Sequence, residues 1–189
     1  MAKNNIFDFE YLKYGLKILI FNKKAIEFIK KNKFSFWSGL GFFIFFISLL
    51  FNNLTYGNEL NSIYLKILYN LLYIVLFCFM IHYIYSLLKG NEKFVNMLKV
   101  LGFAFIFTIF IFIINQLLSG IIASILYAMV GIYLTILLFY IFNKVYKIKL
   151  WKVILGFIII TIIMYIFSTF YLHLSIQIFG ENIKILMAG

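Results

Sequence analysis

Apolar residues arrive in long blocks along this chain, and the short polar interruptions between them predict five membrane-crossing helices. A bilayer core takes roughly 20 helical residues to cross. The runs over residues 34–54, 64–88, 100–117, 121–142 and 151–179 are of that order or longer. Transmembrane strands would instead read as segments of about ten residues with alternating polar positions, whereas these runs are apolar on every face. The third and fourth belong to one uncharged stretch of 43 residues, 100–142. As one straight helix it would measure roughly 64 Å, about twice the hydrocarbon thickness. It must turn, and the cluster Asn115, Gln116, Ser119 and Gly120 is the natural place. The fifth run is long, so it is expected to tilt or protrude.

Before the first run the pattern changes. Phe9, Leu12, Leu16, Leu19, Ile26 and Ile29 recur at spacings of three, four or seven, with lysines between them. That periodicity predicts one or two amphipathic helices lying in the membrane interface, broken at Asn22. A short helix bound to a soluble partner is the alternative. The resulting organisation is a basic interfacial segment over 1–33, an all-α five-helix transmembrane domain over 34–179, and a short external tail over 180–189. No internal repeat or domain linker is apparent. An overall 65% hydrophobic content and a mean hydropathy of +1.05 exceed what a soluble core of this size needs.

Charge gives the helices a direction. All 17 cationic side chains are lysines. They crowd the segment before the first run, the connection holding Lys89, Lys93 and Lys99, and the connection holding Lys144, Lys147, Lys149 and Lys152. The alternate connections, around 52–62 and 115–120, have none, and Lys66 and Lys184 are the exceptions. Such alternation predicts a cytoplasmic N-terminus and an external C-terminus, with Lys66 snorkelling to the headgroups. Trp37, Tyr83 and Tyr85 fall where interfacial aromatic belts are expected. In a soluble protein a net charge of +11 would suggest nucleic acid. Here the charge flanks the spans, and arginine, the usual bidentate reader of bases and phosphates, is absent. Nucleic acid is therefore not an expected partner.

Candidate chemistry is sparse. The six acids, Asp8, Glu10, Glu27, Glu59, Glu92 and Glu181, all lie outside the expected spans, which argues against a carboxylate-based pump or an intramembrane aspartyl protease. Cys78 and His82 share a helical face, but the other histidine, His173, falls on the opposite half of the bilayer, roughly 20 Å away along the axis. A packed cysteine and a hydrogen-bonded histidine are expected rather than a metal site. Ser119 and Ser124 lack the glycine-flanked setting of an intramembrane serine protease. No enzyme activity, cofactor or metal is expected. Gly120, Ser124 and Ala128 recur every four residues, with Gly131 just beyond, a strip expected to pack the fourth span within the bundle.

The stretch Gly90-Asn91-Glu92-Lys93-Phe94, followed by Met97-Leu98-Lys99-Val100-Leu101-Gly102-Phe103-Ala104, resembles the loop and third-span start of the Yip domain, found in Ypt/Rab-interacting proteins and their prokaryotic relatives. The stretch 138–156, with its Lys-Ile-Lys-Leu-Trp-Lys turn, is similar to the end of that domain, and the resemblance covers most of the chain. The proline that often follows the Gly-aromatic-Ala step is missing, as is the Asp-Leu-Tyr-Gly-Pro motif of eukaryotic members. The resemblance implies five spans, a cytosolic N-terminus and a non-enzymatic role in organising or scaffolding a membrane, here in a multi-pass cell-membrane protein. The expected partners are anionic lipids and other membrane or peripheral proteins, with self-association into a homo-oligomer as an alternative. The expected contact surface is Lys13, Lys17, Lys23, Lys24, Lys30, Lys31, Lys93, Lys144 and Lys147. The competing reading is a small-molecule transport component, such as the substrate-binding subunit of an energy-coupling-factor importer, whose ligand would sit in an uncharged aromatic cavity.

Overall fold

A computed structural model describes residues 9–56 and 63–187, and their side chains except at 52–56, 63, 65, 115, 116 and 172–187. Expectations resting on residues 1–8, on the connection 57–62, and on the side chains of Asn115, Gln116 and His173 fall outside the described residues. The described chain is helical throughout, with no strand: α1 (Phe9–Leu19), α2 (Lys23–Lys31), α3 (Phe36–Tyr56), α4 (Ile63–Leu87), α5 (Phe94–Ile106), α6 (Thr108–Leu117), α7 (Gly120–Tyr146) and α8 (Leu150–Met187). Among the described residues, four segments are long and apolar enough to cross a membrane: Lys66–Leu87, Phe94–Ile114, Gly120–Tyr146 and Leu150–Tyr171. The pair Lys23–Lys31 and Phe36–Phe51 passes the same test only together, bent by 108°, so the number is up to five.

The third span starts at Phe94, six residues earlier than the hydropathy pattern places it, and takes Lys99 into its first turns. It is also broken. Phe107 N–H bonds the carbonyl of Ala104, three residues back, and the Thr108 hydroxyl takes the Phe105 carbonyl at 2.6 Å. A side-chain hydroxyl competing for a helical carbonyl accounts for an interruption without proline. The chain then reverses between Leu117 and Gly120, where Gly120 has φ +74°. The last helix does not stop near residue 179: α8 continues to Met187 in place of the separate tail from residue 180, 38 residues in all.

Helix ends explain much of the local structure. At the end of α1, Phe21 adopts φ 58°; its N–H bonds Ile18 O at 2.9 Å, and Asn22 N–H bonds Lys17 O at 3.1 Å. This is a Schellman ending, and Asn22 then caps α2 by accepting the Ala25 N–H at 3.1 Å. The end of α4 repeats the motif, with Lys89 at φ 70° and Gly90 N–H on Tyr85 O at 2.8 Å. A left-handed conformation costs a residue with a Cβ roughly 1–2 kcal/mol. Lys89→Gly is therefore expected to stabilise the protein by about 1 kcal/mol, read as a higher unfolding midpoint in detergent.

The Phe94–Ile114 span is the hub, with 56% of it buried inside the protein against 11–22% for the other three. It packs against α3 through two glycines. A Cβ on Gly102 would collide with the Ser38 backbone, and one on Gly41 with the Gly102 carbonyl, so the two backbones are in direct contact. Phe42 and Phe45 of α3 pack on Phe105 at ring distances of 5.3 and 4.1 Å. On its other sides α5 receives α1, α2 and α7, and Ile18, Ala25, Ile26 and Ile29 are essentially inaccessible. The apolar stripe of α2 thus lies on protein rather than on lipid. This helix is bent by 108° from α3, and the turn before it packs along α7, with Phe21 5.7 Å from the Tyr133 ring and 5.3 Å from that of Tyr140.

Candidate functional site

The lysine-rich connections, distant in sequence, meet at one end of the bundle. Lys30, near the end of α2, directs its ammonium to Glu92 in the α4–α5 connection and lies 3.4 Å from the Val145 carbonyl of α7 and 3.9 Å from Glu27. Glu92 also accepts the Asn96 amide at 2.7 Å and the Lys93 N–H at 3.1 Å. A carboxylate at the start of α5 complements the positive end of that helix. Burial on its own would raise the Glu92 carboxyl. The hydrogen bonds from Lys30, Asn96 and the Lys93 N–H, together with the Lys30 charge, outweigh burial and hold it below its ordinary range.

Lys99 enters this cluster from α5 without touching a carboxylate. Its ammonium donates to the carbonyls of Lys30 at 3.2 Å and Asn32 at 2.5 Å, and to Asn96 Oδ1 at 3.1 Å. Those carbonyls belong to the end of α2, which a cation complements. The Lys99 carbonyl in turn accepts the Ser38 hydroxyl of α3 at 2.6 Å. Lys152 of α8 performs the same capping on α4, reaching the Leu88 carbonyl at 3.0 Å. Nearby, Tyr85 donates to the Val153 carbonyl at 3.0 Å, and His82 Nδ1 lies 3.1 Å from the Tyr146 hydroxyl. Asn143 closes the α7–α8 turn on the Ile148 carbonyl at 2.6 Å. The cluster fastens α2, α3, the α4–α5 connection, α5 and α7 together by polar bonds. It contains no nucleophile paired with a base.

The residues expected to form a contact surface divide into three groups. Lys13, Lys23, Lys24, Lys31, Lys93 and Lys147 are exposed. Lys17 and Lys144 are half-buried, their ammonium groups 5.1 Å from the Tyr14 ring centre and 5.6 Å from that of Tyr140. Lys30 is a correction: at 9% exposure and paired with Glu92, it is part of the packing and presents no surface. Lys66 is also buried in the protein, at 8% exposure, rather than extended to a rim. Phe9, Leu16 and Ile20 of the N-terminal hairpin are half or more exposed and run beside the free lysines.

The small-residue strip is a second correction. Gly120, Ser124 and Ala128 are all exposed, Ser124 bonds back to the Gly120 carbonyl of its own helix, and nothing lies within 4 Å of a Cβ built on Gly131. The close helix approach is made at Gly41 and Gly102 instead. Sequence reasoning passed over Glu92 and Lys99 as partners. The available signal was the Glu92/Asn96/Lys99 spacing, which places all three side chains along one edge at the start of α5.

Comparison with known proteins finds no matching family model, no similar curated protein and no similar solved structure.

Proposed function

We propose that this chain is a non-enzymatic, Yip-domain-like membrane-organising or scaffold protein of the cell membrane. It gathers anionic lipids and membrane or peripheral proteins on its lysine-rich end, which faces the cytoplasm. The observation that carries this reading is the set of exposed lysines: Lys31, Lys93 and Lys147 flank the Glu92 cluster, and Lys13, Lys23 and Lys24 lie on the hairpin that also exposes Phe9, Leu16 and Ile20. A surface that pairs free ammonium groups with apolar side chains suits the boundary between headgroups and acyl chains. The stretches that resemble the Yip domain support the same reading: the first holds both Glu92 and Gly102, and the second supplies the Val145 carbonyl that meets Lys30.

Each lysine near an anionic surface contributes about 1 kcal/mol. Replacing Lys13, Lys23, Lys24 and Lys31 with glutamine is expected to reduce enrichment of headgroup-labelled phosphatidylglycerol around the reconstituted protein by at least tenfold. Energy transfer from a label on the protein measures it. Enrichment equal to that of the unchanged protein would remove the basis of the proposal. Purification from the native membrane provides a check from the partner side: a stoichiometric nucleotide-driven motor subunit would favour the transport reading instead.

A further inference from the structure

The start of α3 carries a groove that the Glu92 cluster does not use. Phe36, Gly39, Leu40 and Phe43 form a stripe at spacings of three and four on the side of α3 turned away from α5, and Phe34 and Ser35 close its upper end. Its volume is about 520 Å³, within the range of roughly 300–1,000 Å³ typical of small-molecule sites. The floor is bare because Gly39 has no side chain: a Cβ built there meets only the Phe34 ring, at 3.9 Å. The walls stand open, with Phe34 49% and Phe43 60% exposed. Ser35 brings the only hydroxyl among the lining residues, and its Oγ already accepts the Ser38 N–H at 3.3 Å. Lys33 directly precedes Phe34, and Lys31 lies two residues before that. Both are exposed, and neither has an acidic partner among the described residues.

We propose that this groove seats one acyl chain of an anionic phospholipid, whose phosphate is held by Lys33 and Lys31. The proposal rests on the membrane-organising reading and specifies one stoichiometric lipid within it. The geometry requires an amphipathic occupant. From Phe36 to Phe43 the stripe descends about 10 Å along the helix axis, apolar all the way, and cations stand only at its upper rim. A water-soluble ligand would find one polar group in the lining, the Ser35 hydroxyl at its upper end. A second copy of this chain would bring its own lysine-rich end to the same rim and be repelled there. An anionic lipid satisfies both the rim and the wall.

The test is mass spectrometry under non-denaturing conditions on the full-length protein in mild detergent, titrated with phosphatidylglycerol or with phosphatidylcholine of the same chains. One phosphatidylglycerol is expected to be retained with at least tenfold preference. Gly39→Leu, which fills the floor, should weaken that first adduct at least tenfold. Gly131→Leu, at an equally open position on α7, should leave it unchanged. Lys33→Glu alters only an exposed side chain, so the test survives a failure of Gly39→Leu to fold; it should abolish the headgroup preference. Equal retention of the two lipids, or a first adduct indifferent to both Gly39→Leu and Lys33→Glu, would overturn the inference. A dimer lost in Gly39→Leu would overturn it too, by giving the groove to a second copy. General enrichment of anionic lipid in vesicles depends on the whole set of exposed lysines rather than on the groove, and should persist in Gly39→Leu. Its absence from the unchanged protein, with the single adduct intact, would defeat the broader reading and leave this one standing.

Discussion

Gly102→Leu is expected to be the most damaging single substitution in this protein. The added side chain has no direction in which to relax, because the atoms it meets are the Ser38 backbone rather than the end of a flexible side chain. Overpacking a core typically costs 1–3 kcal/mol, and a backbone collision belongs at or beyond the top of that range, about 3 kcal/mol. The damage extends past α3, since Lys99 on the same helix bonds both Ser38 and the end of α2. Pushing α3 away from α5 therefore also disturbs the seat of the N-terminal hairpin. Gly131→Leu provides the contrast: with nothing within 4 Å of the new Cβ, its effect should stay within about 0.5 kcal/mol. Unfolding followed by the fluorescence of Trp37 and Trp151 measures both. A Gly102→Leu protein as stable as Gly131→Leu would contradict the packing described.

Glu92→Ala is expected to have the second largest effect. Removing this carboxylate leaves the buried Lys30 ammonium only the Val145 carbonyl and the more distant Glu27, and takes the partner from the Asn96 amide. Breaking a buried pair from one side costs about 3–5 kcal/mol, and at the edge of the bundle, where some water reaches, about 3 kcal/mol is expected. Replacing both partners, Lys30→Met with Glu92→Leu, should recover most of the loss, because the stranded charge goes with them. The same pair sets a pH dependence. The Glu92 carboxyl titrates lower in the folded protein than in the unfolded chain. Its contribution is thus complete above the ordinary carboxylate value of about 4.3 and is lost as pH falls through the lowered folded value. The Glu92→Ala protein should lack this component of acid sensitivity, as measured by unfolding midpoints across that pH range.

What the sequence disclosed depended on how local the cause was. The break after α1 was legible because Asn22 provides its own cap, and the reversal before α7 because Gly120 supplies the positive φ. The start of the third span was not. Lys99 looks like a boundary charge in a hydropathy pattern, yet its ammonium is satisfied by carbonyls 67 and 69 residues away. Lys30 and Lys31 are adjacent and chemically identical in sequence. Only the rotation of α2 on α5 and α7 decides that one pairs inside and the other faces out. The packing glycines failed for a related reason. Periodicity favoured the strip at Gly120, Ser124 and Ala128, but the real contact needs just one glycine from each helix, and a single glycine has no period.

The seat of the N-terminal hairpin also has a temporal side. The hairpin leaves the ribosome before the helices it packs on, and the Val145 carbonyl that meets Lys30 is made 115 residues after it. At about 5–20 residues per second, that is a wait of roughly 6–23 s. Until α5 is made Ile26 and Ile29 have no helix to cover them, until α7 follows they are covered only in part, and the bilayer is the nearest apolar phase. The two helices would then spend their first seconds as a peripheral membrane peptide, dock when α5 arrives, and complete their seat only when α7 joins it.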